Sequence, residues 1–97
     1  MRKRRYESVW DAIETSPGAA AGLKARAGLM IALAGTISRR GWTQRKAARR
    51  FGVAQPRVSD LVRGRIRLFS LDALVEMAAL AGLRPRVVIG RVRGRAA

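Results

Sequence analysis

Apolar residues recur at helical spacing in five stretches of this chain, each bounded by glycine, proline or a small hydroxyl residue. Tyr6, Val9, Trp10 and Ile13 are spaced 3, 1 and 3, which predicts a short amphipathic helix ended by "TSPG". From about Ala20 to Arg40, Leu23, Ala27, Met30, Ala34 and Ile37 step 4-3-4-3 along one face, with Ile31 and Leu33 flanking it on either side. Gly28 and Gly35 weaken that helix by about 1 kcal/mol each against alanine. Gly41 supplies its C-cap, after Arg39 and Arg40 have complemented the helix dipole.

Two short patterns follow. Thr43 is the expected N-cap of a helix over Gln44–Phe51 that buries Ala47, Ala48 and Phe51. Gly52 turns the chain, and Val53 plugs the bend. A third helix is expected from Gln55 to about Arg63, with Val58, Leu61 and Val62 inward and Gly64 closing it. Pro56 is tolerated there because it falls in the first turn. Ser70 should cap a fourth helix carrying Leu71, Leu74, Val75 and Ala78, stopped by Gly82. The β-branched run "LRPRVVIGRVR" reads as a strand that needs a partner. The expected fold is therefore all-α: a compact helix-turn-helix domain of four to five helices with a short C-terminal β-strand. Residues 1–19 form a basic arm and short helix, 20–83 the helix-turn-helix domain, and 84–97 the strand and a basic tail.

Charge changes this from a fold to a function. The 97 residues carry 21 Lys and Arg against 6 Asp and Glu, a formal charge of +15, and only Lys3, Lys24 and Lys46 are lysines. Such an excess repels itself unless a polyanion neutralises it, and arginine's planar fork suits phosphates and guanine edges. Between Thr15 and Ser59 there are nine bases and no acid, so the middle of the chain is the expected anion-facing part. The absence of Cys and His removes disulfides, thiol chemistry and the usual soft metal ligands. No acid clusters with a candidate nucleophile, so no catalytic site, cofactor or small-molecule substrate is expected. "LMIALAG" is far short of the ~20 residues of a membrane span, and helix 20–40 needs its apolar face for the core. The expectation is a cytoplasmic protein that binds no membrane.

"RFGVAQPRVSDLVRG" holds the recognition chemistry. A short helix, a glycine turn and a second short helix with polar residues at its start form a helix-turn-helix, whose second helix enters the major groove. Gln55 suits adenine and Arg57 guanine, while Pro56 stiffens their presentation. Gln44, Arg45 and Lys46 crowd bases into a helix N-terminus that favours anions, an arrangement a DNA phosphate would complete. The expected DNA-binding set is Thr43, Gln44, Arg45, Lys46, Gln55, Pro56, Arg57, Ser59, Asp60 and Arg63. A solvated basic face would explain any one arginine but not this combined placement.

The stretch "GWTQRKAARRFGVAQPRVSDLVRGRIRLFSLDALVEMAALAGL" resembles the helix-turn-helix of the XRE (Cro/phage-repressor-type) family. It is most similar to the HigA-like antitoxin branch, in which a "TQ…AA…GV.QP.VS.L.RG" motif precedes "FSLD.L" and a final strand. The resemblance spans about Ser8 to Ile89. It implies that Gln44 contacts backbone phosphate and that Gln55, Arg57 and Asp60 face the groove. It also implies a homodimer on a palindromic operator and, in the antitoxin branch, neutralisation of a RelE/HigB-like ribonuclease toxin. Two positions depart from the pattern: Lys46 replaces a frequent acid, and Ala54 a frequent Ser or Thr N-cap, which costs about 1 kcal/mol.

Two segments keep two readings. Tyr6, Val9, Trp10 and Ile13 either pack over the long helix or are offered to a toxin, with Glu7, Asp11 and Glu14 facing a basic partner. Val87, Val88 and Ile89 either fold back on their own chain or pair across a two-fold axis, which would satisfy their backbone groups. The functional expectation is a sequence-specific repressor, an antitoxin acting on its own operon. The alternative is a stand-alone phage-type regulator or a non-specific nucleoid-like binder.

Overall fold

A computed structural model describes residues 16–90. The expected helix around Trp10 and both basic termini, 1–5 and 91–97, lie outside the described residues. Within them the chain forms α1 (Pro17–Arg40), α2 (Gln44–Phe51), α3 (Gln55–Val62), a 3-10 turn (Ile66–Leu68) and α4 (Leu71–Leu80).

α1 begins three residues earlier than the expected Ala20. The Ser16 side chain accepts a hydrogen bond from the Ala19 N–H at 3.0 Å, and Pro17 occupies the first turn. "SPG" is thus a helix start, because proline's missing N–H costs nothing in a first turn, where that N–H would have no acceptor within the helix. The buried face of α1 is Met30, Leu33, Thr36 and Ile37. It is turned toward Leu33, which is fully buried, and leaves Ile31 72 % exposed. The Thr36 hydroxyl donates to the Ala32 carbonyl at 2.9 Å, so this buried polar group is satisfied within its own helix. By length and composition α1 is apolar enough to cross a membrane, because its alanines and glycines extend the short apolar run. Its Met30–Ile37 face, however, is part of the domain core.

α2 caps as expected: the Thr43 side chain accepts from the Lys46 N–H at 3.1 Å, and Gly52 ends the helix at φ 71°. Leu80 of α4 lies against that turn, and a Cβ on Gly52 would meet Leu80 Cδ1 at 2.8 Å. α3 has no side-chain cap at Ala54. Its inward residues are Val58 and Leu61, whereas Val62 is 49 % exposed and does not face inward as the pattern suggested. The chain after Gly64 folds back so that Ile66 packs on the core, and no described residue buries Val62. Ser70 caps α4 by accepting from Ala73 N–H at 3.1 Å, and Leu74, Met77 and Ala78 complete the core around Phe51 and Phe69. Leu71 and Val75 are only partly buried.

No strand forms among the described residues, where the expected short C-terminal β-strand is not seen. Residues 83–90 carry no secondary structure, and Val87, Val88 and Ile89 are exposed. A strand requires a ladder partner, and none is present among the described residues.

Candidate nucleic-acid interface

The turn at Gly52 sets the relation between α2 and α3. Because Ala47, Ala48 and Phe51 on one side and Val58 and Leu61 on the other share one core, the polar starts of both helices are brought to a common face. There Gln44, Gln55, Pro56 and Ser59 line one open concavity of about 340 Å³. Gln44 is the first residue of α2, and Gln55 and Pro56 open α3. Two amide side chains, each able to donate and accept, therefore border a surface with no carboxylate among its lining residues. Gln55 and Pro56 are exposed and Gln44 and Ser59 half-buried, as suits side chains reaching outward from supported positions.

Arginine chemistry divides into two kinds. The Arg57 guanidinium lies 4.2 Å from the Phe69 ring centroid and donates to the Leu68 carbonyl at 2.8 Å. Arg26 of α1 donates to the neighbouring Phe69 carbonyl at 3.4 Å. Both arginines hold the link between the 3-10 turn and α4. Arg45, Lys46 and Arg63, by contrast, are exposed, with Arg45 and Lys46 in the first turn of α2.

The family model for a helix-turn-helix domain matches residues 13–90. A solved structure named as an XRE-family transcriptional regulator is 32 % identical, with a TM-score of 0.70, over 80 % of this chain and 89 % of its own. This chain belongs to the XRE-type helix-turn-helix family. No curated protein matches it.

In this XRE-type domain the expected DNA-binding residues do not form one uniform set. Thr43 is a helix cap, and Gln44, Gln55, Pro56 and Ser59 come together. Arg57 is engaged within the fold rather than free at the surface. Asp60 forms an ion pair with Arg65 at 3.6 Å, and its backbone carbonyl accepts from the Arg65 N–H. Arg63 caps the end of α3. Sequence reasoning passed over Trp42. This half-buried residue packs on the core, meets Phe51 edge-on at 6.0 Å, and lies under the guanidinium groups of Arg40 and Arg50. A signal existed: Trp42, Lys46 and Arg50 follow one another at intervals of four.

Proposed function

We propose that this XRE-type domain is a sequence-specific DNA-binding transcriptional regulator, a repressor that places α3 in the major groove. The observation that carries the reading is the shared surface of Gln44, Gln55, Pro56 and Ser59. In that pose Gln44 meets the phosphate backbone, where the start of α2 presents free N–H groups, and Gln55 reads a base edge. Arg45, Lys46 and Arg63 contribute further phosphate contacts.

The finer reading is the HigA-like antitoxin branch: a cytoplasmic, non-enzymatic protein that represses its own operon as a homodimer and neutralises a ribonuclease toxin. The exposed Val87, Val88 and Ile89 support a dimer, since pairing across a two-fold axis would give the C-terminal segment its missing ladder. The +15 charge supports the second reading, a binder that grips any duplex.

Titration against duplex from upstream of the gene, beside a scrambled duplex at ~0.15 M salt, separates the two. A regulator prefers the upstream duplex by at least ~1,000-fold, and Gln55→Ala erodes that preference by roughly 1–3 kcal/mol. Equal binding to both duplexes, unchanged in Gln55→Ala, would sink the recognition surface. Retention of the adjoining gene's product on the purified antitoxin is the corresponding check of the toxin partner.

A further inference from the structure

Trp42 sits between the end of α1 and the cap of α2, immediately before Thr43. The Arg40 guanidinium carbon is 5.4 Å from its ring centroid and that of Arg50 is 5.1 Å away. Two cations thus share one indole. Neither pairs with a carboxylate among the described residues, and the sequence from Thr15 to Ser59 contains no acid.

Cation–π attraction to the indole uses none of a guanidinium's N–H donors, so they stay available to an acceptor. Arg57 shows the other outcome: it is stacked on Phe69, but one donor is already taken by the Leu68 carbonyl. Arg40 and Arg50 have no such acceptor among the described residues, and both side chains are exposed. An anion that reaches both would meet donors with no competing acceptor among the described residues.

We propose that Arg40 and Arg50, ordered by Trp42, clamp a backbone phosphate of duplex DNA beside the start of α2 and outside the recognition concavity. Duplex backbone is the fitting occupant because Trp42 directly precedes the Thr43 cap of α2, whose first turn carries Arg45 and Lys46 and no acid. The clamp carries no sequence information; it fixes how the domain sits on the duplex. The inference rests on the DNA-binding reading but not on sequence preference.

The test is a salt titration of Kd from 50 to 200 mM, on upstream and scrambled duplexes, for the full chain and for R40Q/R50Q. Each lost phosphate contact lowers the slope of log K against log [salt] by about 0.9. The double variant is expected to lose about 0.9 of slope and roughly 5-fold in affinity at 0.15 M salt, equally on both duplexes. R84Q/R86Q, in the segment after α4, serves as the control for net charge and is expected to change the slope less. In a W10F background Trp42 is the remaining tryptophan, and its emission should change on adding duplex, an effect lost in R40Q/R50Q. An unchanged slope, an equal fall in the control, or an emission blind to DNA would overturn the clamp. A fall in slope on duplexes bound without preference would instead leave the clamp standing and overturn the recognition surface.

Discussion

Gln55 and Arg57 sit two positions apart at the start of α3, and the structure gives them different work. Gln55 is exposed beside Gln44, whereas Arg57 turns back onto Phe69 and Leu68. Arg57→Ala should therefore destabilise the free domain by about 1–2 kcal/mol, from the lost hydrogen bond and cation–π contact. Gln55→Ala should leave stability within ~0.5 kcal/mol, as surface changes do. Urea unfolding of both variants without DNA checks this, and similar stabilities would contradict the division. Ala54 offers the opposite prediction. The α3 N-terminus has no side-chain cap, so Ala54→Ser should raise stability by about 1 kcal/mol, visible as a higher denaturation midpoint with an unchanged m-value.

Among the elements, α1 is the one whose orientation matters most, because its face determines where the helix-turn-helix rests. Both Ile31 and Leu33 flank the same periodic stripe. The core takes Leu33 and leaves Ile31 in solvent. Leu33→Ala should cost about 2–5 kcal/mol by emptying a packed site, and Ile31→Ala less than about 0.5. Comparable losses in thermal or urea unfolding would mean that α1 is rotated. The two short helices are supported differently. At eight residues each, α2 and α3 are too short to persist alone, so their shared core holds them. The Gly52 turn sets their relation. Gly52→Ala should lose about 1–2 kcal/mol, since a side chain at φ 71° is strained even where Leu80 can move aside.

For the whole molecule, net charge dominates. With +15 to accommodate, the free protein should be more stable in ~0.5 M salt than in ~0.02 M, because screening weakens self-repulsion. Duplex DNA at low salt should raise its melting temperature, and that gain should shrink as salt rises. Calorimetry across salt, with and without duplex, tests both trends. A free protein indifferent to salt would show that the arginines are already compensated within the fold. Some are in part: Arg26 and Arg57 serve backbone carbonyls, and Arg65 meets Asp60.

Local features were legible in the residues themselves. Thr43, Gly52, Ser70 and Gly82 marked helix ends because capping and left-handed turns depend on a few adjacent atoms. The α2 bounds and the inward Ala47, Ala48 and Phe51 followed from period and cap alone. Gln44 and Gln55 stood out in the sequence as polar residues opening two short helices, and the fold brings them to one concavity. Other features depended on contacts distant in sequence. Pattern could not choose between Ile31 and Leu33, since both flank one stripe and only the neighbouring helices distinguish them. Nor could it separate Arg57 from the free arginines, because its partners lie 11 and 12 residues later, at Leu68 and Phe69. The apolar run at Val87–Ile89 has strand composition, yet a strand exists only where another chain segment pairs with it. The sequence by itself determined a basic helix-turn-helix, since capping, helical period and charge are local properties. Tertiary packing decided which arginines hold the fold and which are left to meet an anion, because that depends on the acceptors each guanidinium finds.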